Sequence, residues 1–132
     1  MGKPLISFAQ IIEQDPYFLD IDERPDWHAQ FGNTNPLKLE IGFGMGNFLI
    51  EMAAKESDSN FIGIDFYHKG IRKIMTRIRN LQLENIRIVY GDIRSKIAIL
   101  CQDGALQTVY INFPDPWPKK RHIKRRLIKP EF

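Results

Sequence analysis

Short apolar runs alternate with amphipathic segments over most of the chain, and this alternation limits the possible folds more than any other feature. The predicted strands and helices alternate in the order strand 37–41, helix 47–55, strand 61–65, helix 68–83, strand 86–90, helix 93–101 and strand 106–112. Strands joined by helices of this length form a parallel sheet with helices on both faces. The sequence therefore predicts an α/β fold with a doubly wound, mostly parallel sheet.

Length and composition fit one small intracellular domain. The chain has 132 residues, of which 43% are hydrophobic and 27% are charged, as is typical of a single globular domain. Cys101 is the one cysteine, which excludes a disulfide framework and a cysteine-rich zinc site and favours the cytoplasm. No stretch approaches the ~18 apolar residues of a membrane span, so we expect no membrane partner. Two units are predicted, a loosely ordered N-terminal arm over 1–36 and a domain over 37–132 that ends in a basic segment.

A glycine-rich turn joins the first predicted strand to the first predicted helix. It reads Glu40-Ile41-Gly42-Phe43-Gly44-Met45-Gly46-Asn47 and is placed where open α/β sheets bind ligands. The spacing excludes the dinucleotide fingerprint, because the third glycine comes one residue early, and no Gly-Lys-Ser/Thr follows as in a P-loop. We expect Gly42, Gly44 and Gly46 to let the backbone approach a ligand. A tight turn without a ligand is the alternative.

Acidic residues end three consecutive predicted strands beside this turn. Glu40 could bind the ammonium group of a ligand or be a surface charge. Asp65 lies about 20 residues past the turn, where a carboxylate can accept hydrogen bonds from ribose hydroxyls or cap the next helix. Asp92 could accept a hydrogen bond from an adenine amino group or cap the helix that follows it. Together these features describe an adenosine pocket without a pyrophosphate site, which fits S-adenosylmethionine better than a dinucleotide.

Positive charge is concentrated near the end of the chain. Residues 119–129 contain seven Lys and Arg and no acid, although the net charge of the whole chain is only +3. This segregation indicates a polyanionic partner, and a solvated charged surface is the alternative. The basic segment follows Phe113-Pro114-Asp115-Pro116-Trp117-Pro118, in which the three prolines exclude regular structure.

Two motifs resemble those of a known family. The run FPDPWPKKRHIKRR at 113–126 resembles the F-P-D-P-W-x-K-x-R-H-x-K-R-R motif of the bacterial tRNA (guanine-N7-)-methyltransferases, and 40–46 resembles their E-I-G-x-G-x-G turn. The resemblance covers 26–129. It implies a class I S-adenosylmethionine-dependent methyltransferase fold, which is Rossmann-like and has seven strands, of which four are recognised here. It also implies methyl transfer to N7 of the variable-loop guanine of tRNA (position 46).

The resemblance also implies roles for individual residues. Glu40, Asp65 and Asp92 match cofactor ligands, and Asp115 matches a cofactor contact that is also the proposed catalytic residue. The residues implied in RNA binding are Lys119, Lys120, Arg121, His122, Lys124, Arg125 and Arg126. Guanine N7 has an exposed lone pair, so the main task is to align it with the sulfonium methyl group, and we expect no metal. Asp115 could stabilise the charge that develops on the methylated guanine, hold the guanine's Watson–Crick edge, or be a turn residue only.

The chain ends at Phe132, whereas members of this family continue beyond the corresponding position. We therefore expect an unpaired edge on the predicted strand 106–112, possible self-association through that edge, and weak or no activity of the 132 residues alone. Two other functions stay open, a noncatalytic RNA-binding fragment and a methyltransferase that acts on another nucleic-acid base. Asp115 separates two prolines, unlike the Asn/Asp-Pro-Pro-aromatic loop of amino methyltransferases, which argues against the second.

Overall fold

The computed structural model describes residues 7, 9, 11, 16–19, 25–100, 106–112 and 120–124, and of residues 97, 112 and 120–124 it describes the backbone alone. The strands are β1 Phe18–Leu19, β2 Leu37–Ile41, β3 Asn60–Asp65, β4 Ile86–Tyr90, β5 Leu106–Asn112 and β6 Lys120–Lys124. The helices are α1 Trp27–Phe31, α2 Asn47–Lys55, α3 His68–Leu81 and α4 Ile93–Leu100. The four predicted strands correspond to β2 through β5, and the three predicted helices correspond to α2 through α4.

The described strands form one sheet in the order β1-β4-β3-β2-β5-β6. Strands β1 to β5 are parallel, and β6 is antiparallel to β5. From β2 the chain moves outward through β3 to β4, and it then returns to the other side of β2 as β5. The direction of winding reverses between β2 and β5, which is where doubly wound sheets bind ligands. The predicted doubly wound, mostly parallel sheet is therefore confirmed.

Each face of the sheet has its own apolar core. One core contains Leu49 of α2 and Ile74 of α3 together with Ile88 of β4. The other contains Trp27 of α1 and Leu100 of α4. Side chains alternate between the two faces along a strand, so β3, which is buried at five of its six positions, contributes to both cores. Two covered faces explain why the apolar runs of the sequence are nearly continuous.

The described residues of the N-terminal region make contacts that the sequence analysis does not predict. Strand β1, which no sequence pattern predicts, pairs with β4 through Phe18 and Ile88. Ile11 and Trp27 are also buried. These contacts belong to the described residues of 1–36, and the division into an arm over 1–36 and a domain over 37–132 stays a prediction. A strand of two residues is too short to show an alternating pattern, so the sequence does not reveal it.

A buried arginine attaches this N-terminal region to the sheet. The guanidinium of Arg87, on β4, lies between the rings of Tyr17 and Phe31, at 4.1 Å and 4.6 Å from their centroids. It donates hydrogen bonds to the carbonyl oxygens of Glu84 at 2.8 Å and Gln30 at 2.6 Å. These partners offset the cost of burying a cation. We call Tyr17, Phe31 and Arg87 the arginine clamp.

The outer edge of the sheet differs from the expectation. Strand β6 pairs with β5 from Asn112–Lys120 to Thr108–Lys124, so the prediction of an unpaired edge on 106–112 is wrong. The outer edge belongs to β6, whose sequence KRHIK is strongly basic. Positively charged edge strands disfavour pairing with a second sheet, which argues against self-association through this edge.

Candidate functional site

The carboxyl ends of β2, β3 and β4 meet at one edge of the sheet, and we call residues 40–47, 65–68 and 90–95 the carboxyl edge. Backbone hydrogen bonds fix where its loops begin. The Gly42 N–H donates to the carbonyl oxygen of Ile64 at 2.9 Å, and the Gly91 N–H donates to the carbonyl oxygen of Asp65 at 3.1 Å. The loops after β2 and β4 therefore both start from fixed points on β3.

The glycine turn has a backbone that side chains would disturb. Gly42, Gly44 and Gly46 have φ angles of 70°, 61° and 85°, in the left-handed region that favours glycine. A Cβ on Gly46 would also lie 2.5 Å from the Ile74 side chain. Gly46 is the N-cap of α2 and makes no side-chain cap hydrogen bond. The positive end of the α2 dipole lies at the carboxyl edge, where it favours an anionic group of a ligand.

Asp65 holds the glycine turn in place. Its Oδ2 accepts a hydrogen bond from the Gly44 N–H at 2.9 Å. Its Oδ1 accepts from the N–H groups of Phe66 at 2.7 Å and Tyr67 at 3.3 Å. An ionised carboxylate can accept about four hydrogen bonds, so these three leave capacity for a ligand hydroxyl. The N-cap of α3 is Tyr67, so the alternative that Asp65 itself caps this helix is wrong.

Gly70 supports the same turn from the other side, and the sequence analysis does not single it out. A Cβ on Gly70, in the first turn of α3, would overlap the carbonyl oxygen of Gly44 and lie 3.0 Å from its carbonyl carbon. The carbonyl of Gly44 therefore rests directly on the backbone of α3, while its N–H donates to Asp65. In the sequence Gly70 is a single glycine within a helical pattern, and the sequence alone does not indicate which residue packs against it.

Glu40 lies beneath the turn and is fully buried. The register places it between Gly63 of β3 and Tyr110 of β5. Its interpretation as a surface charge is therefore wrong.

The Tyr110 ring packs edge-on against Phe48 of α2, with the centroids 5.1 Å apart, and burial raises the pKa of the Tyr110 phenol.

Asp92 begins α4 in the way its capping alternative predicts. Its Oδ1 accepts a hydrogen bond from the Arg94 N–H at 2.9 Å, and its Oδ2 pairs with the Arg94 guanidinium at 2.9 Å. The hydrogen bonds from the Arg94 side chain and backbone lower the pKa of the Asp92 carboxyl. A role for Asp92 toward an adenine amino group stays a prediction.

Aromatic side chains surround Asp65 and Asp92. Phe66 and Tyr67 are 66% and 48% exposed, which is unusual for large apolar groups. His68 Nε2 is hydrogen-bonded to the Tyr90 hydroxyl at 3.0 Å. The rings of His68 and Tyr90 lie 5.5 Å apart. The carboxyl edge thus offers flat apolar surfaces on which a heterocycle could stack.

The structure brings part of the basic segment to this edge of the sheet. Lys120 pairs with Asn112 at the carboxyl end of β5, and β6 runs from there toward Lys124, so Arg121 and His122 also lie on this strand. The other predicted residues of the FPDPW motif and basic segment, Asp115, Lys119, Arg125 and Arg126, lie outside the described residues.

The described part of the chain contains no group of three or more His, Cys, Asp and Glu residues that could hold a metal ion. Among the same residues no helix is long and apolar enough to cross a membrane. A cleft of about 550 Å³ lies beside the C-terminal end of α3, lined by residues such as Tyr17, Arg79 and Glu84. It contains none of the residues of the carboxyl edge.

Comparison with curated proteins gives close relatives. The tRNA (guanine-N(7)-)-methyltransferase of Geobacter metallireducens is 48% identical over 120 residues, which are 89% of this chain and 57% of that protein. The protein of the same name from Syntrophotalea carbinolica is 42% identical over 122 residues, which are 90% of this chain and 53% of that protein. The chain spans about half the length of the curated relatives it matches.

The solved structure of the antibiotic-resistance methyltransferase Kmr superimposes with a TM-score of 0.58 at 22% identity, over 69% of this chain and 48% of that one. This likeness shows the fold and agrees with the class I methyltransferase arrangement that the sequence predicts. A family profile described as "Putative methyltransferase" matches residues 34–132, which include both motifs. The chain therefore belongs to this methyltransferase family, and its predicted resemblance to the bacterial tRNA (guanine-N7-)-methyltransferases is confirmed.

Proposed function

We propose that the protein contributes to methyl transfer from S-adenosylmethionine to N7 of the variable-loop guanine of tRNA, at position 46, in the cytoplasm. The observation that carries the cofactor half is the hydrogen bond from the Gly44 N–H to Asp65. It fixes a turn of three left-handed glycines against the end of the neighbouring strand, where a ligand can approach the backbone. The relatives named tRNA (guanine-N(7)-)-methyltransferase support the choice of target.

The residues of the carboxyl edge fit the parts of this cofactor. The positive N-terminal end of α2 suits its carboxylate, and the remaining acceptor capacity of Asp65 suits its ribose hydroxyls. The exposed ring of Phe66 can cover the adenine, whose amino group would donate to Asp92. Glu40 is buried beneath the turn. We therefore assign to its carboxylate an attraction to the ammonium group of the cofactor that acts across the turn and not from an open surface. When bound, the cofactor supplies an electrophilic methyl group.

The remaining residues would act on the nucleic acid. Guanine N7 needs no deprotonation before it attacks, so the protein has to hold the base in line and stabilise the charge that develops on it. We assign this role to Asp115. We assign the binding of tRNA phosphates to Lys119, Lys120, Arg121, His122, Lys124, Arg125 and Arg126.

Calorimetric titration of the chain with S-adenosylhomocysteine, with NAD as the control ligand, tests the cofactor half. We expect binding of the first and not of the second. Asp65→Asn should weaken binding at least about tenfold, because its amide group would face the backbone N–H donors that the carboxylate now accepts from. Asp58→Asn, in an exposed loop, is the matched control and should bind as the unchanged chain does.

Transfer of labelled methyl groups to tRNA, followed by alkaline cleavage at the modified base, tests the target half. Cleavage at the variable-loop guanine supports the proposal, and methylation elsewhere would replace it with a different base specificity. If the folded chain binds tRNA and S-adenosylhomocysteine but transfers nothing, these 132 residues are an RNA-binding and cofactor-binding portion of the enzyme. If a folded chain does not bind S-adenosylhomocysteine, the assignment of the carboxyl edge is wrong.

A further inference from the structure

Helix α3 carries a concentration of positive charge separate from the basic segment at 119–129. Its 14 residues, HKGIRKIMTRIRNL, include five Lys and Arg and one His but no Asp or Glu. A surface helix that only needs solvation usually mixes both signs, because acidic and basic residues three or four apart stabilise each other. Like charges at that spacing oppose folding. The absence of Asp and Glu from α3 therefore indicates that something outside the helix favours its positive charges.

The charges lie on the solvent side of α3. The opposite side packs into the core through Ile71, Ile74 and Ile78. Lys69 and Lys73 are four residues apart and thus lie on one line along the helix. Arg77 continues this line, so the three span ~12 Å along the axis. We call Lys69, Arg72, Lys73 and Arg77 the α3 basic face.

Two cations elsewhere in the described structure have acidic partners, whereas no such partner is found there for two cations on this face. Lys38 pairs with Glu56 at 2.6 Å, and Arg94 pairs with Asp92 at 2.9 Å. For Lys69 and Lys73, the described part of the chain offers no hydrogen bond or ion pair. Their charges are therefore available to a partner that is itself anionic.

The α3 basic face begins at the carboxyl edge. Helix α3 starts at His68, three residues after Asp65, and its first turn supports the glycine turn through Gly70. The positive end of the helix dipole points to the same edge. The α3 basic face therefore extends from the candidate active site along the helix without a break. This arrangement is expected of a surface that binds a long polyanion while the reacting group of that polyanion lies at the carboxyl edge.

We propose that the α3 basic face binds the phosphate backbone of the substrate RNA, as a second contact in addition to the basic segment. The identity of the RNA as tRNA rests on the proposed function, but the contact itself does not. Lysines at this spacing offer point charges without a directed pattern of donors, so they contribute affinity and register and not base specificity. The contact should be steeply dependent on salt, because bound phosphates release their counterions.

Fluorescence titration of labelled tRNA with the chain, at several salt concentrations, tests this contact. The test variant is Lys69→Gln with Lys73→Gln, and the control is Lys55→Glu, which changes the net charge by the same amount at the far end of α2. We expect the double variant to bind tRNA about three- to tenfold more weakly, and to lower the slope of log K against log salt by about one to two. The control should change both quantities by less than half as much.

Two further measurements separate the outcomes. Binding of S-adenosylhomocysteine should be equal in all three proteins, since none of the substituted residues touches the turn. If the double variant binds tRNA more weakly although no methyl transfer is detected, the α3 contact stands independently of the activity of the chain. If the double variant binds tRNA as the control does, the α3 contact is wrong even where methyl transfer succeeds. If it loses binding only to phosphatidylserine vesicles, the face serves a membrane surface and the RNA proposal is overturned.

Discussion

Replacement of Gly70 by alanine isolates the support that α3 gives to the glycine turn. In an unobstructed helix this substitution stabilises, because alanine is favoured over glycine by ~1 kcal/mol. Here the added Cβ would overlap the carbonyl oxygen of Gly44, whose amide is already bound to Asp65. The obstacle is backbone, so the overlap cannot be relieved by a change of rotamer.

The expected magnitude follows from these two opposed effects. Overpacking against a fixed neighbour costs ~1–3 kcal/mol, and the gain in helix propensity offsets ~1 kcal/mol of it. We therefore expect a net loss of ~0–2 kcal/mol in the free energy of unfolding. The turn should move, and loss of one backbone hydrogen bond to the ligand, worth ~1 kcal/mol, would weaken binding of S-adenosylhomocysteine about fivefold.

Urea denaturation and calorimetric titration measure the two effects separately. Asn80→Ala is the control, since Asn80 is exposed in the same helix and alanine improves propensity there without a clash. It should stabilise the chain slightly and leave binding unchanged. If Gly70→Ala instead stabilises the chain as much as this control and binds the ligand normally, the carbonyl of Gly44 does not rest on α3 and the reasoning fails.

Three other substitutions test separate parts of the structure. Arg94→Ala should raise the pKa of Asp92, measured by NMR titration of its carboxyl group. Because that pKa is lowered in the folded chain, the variant should be less stable than the unchanged chain at neutral pH. This difference in stability should vanish as the pH falls through the folded-state pKa. The pKa of the Tyr110 phenol is raised in the folded chain, so its contribution to stability is present below the unfolded-state pKa and disappears as the pH rises through the folded-state pKa. Tyr110→Phe should therefore remove this loss of stability in alkali. Arg87→Ala should lower the free energy of unfolding by ~2–5 kcal/mol in urea denaturation, since it breaks charged hydrogen bonds and two ring contacts of the arginine clamp.

Each of these predictions has a result that would contradict it. An Asp92 titration unaffected by Arg94→Ala would mean that the ion pair is not populated in solution. Equal alkaline stability of Tyr110→Phe and the unchanged chain would mean that the phenol is more solvated than the structure indicates. Proteolysis complements the third test, because loss of the clamp should expose cleavage sites before residue 37. Unchanged protection there would show that contacts other than the clamp, such as the pairing of β1 with β4, hold the N-terminal region.

The regular elements could be predicted where the chain repeats a pattern, and the rest could not. The strand of residues 60–65 is apolar over 61–64 because both its faces are covered, and α3 shows a clear apolar stripe. β1 has two residues and thus no period. Arg87 stands in an otherwise apolar strand, and its burial depends on Tyr17 and Phe31, which are distant in sequence.

The candidate site shows the same division. The glycines and acids could be recognised because turn and strand-end positions constrain residue types locally. The partners of Asp65 could not, because Gly44 lies 21 positions away and only the pairing of β2 with β3 brings the two together. The contact of Gly70 with Gly44 depends on how closely α3 approaches the sheet, which no spacing in the sequence encodes.

The arginine clamp and β1 also have a consequence for the order in which the chain can fold during synthesis. Phe18 pairs with Ile88, about 70 residues later in the chain. While β4 is still inside the ribosome, the apolar side chains of the N-terminal region have no docking surface, because domains fold as their parts emerge at ~5–20 residues per second. Phe18 therefore leaves the ribosome about 70 residues before its partner Ile88 and is buried against β4 only after β4 has emerged. During those seconds the N-terminal residues form the segment most exposed to chaperones, so slower translation before residue 86 should prolong chaperone binding to the nascent chain.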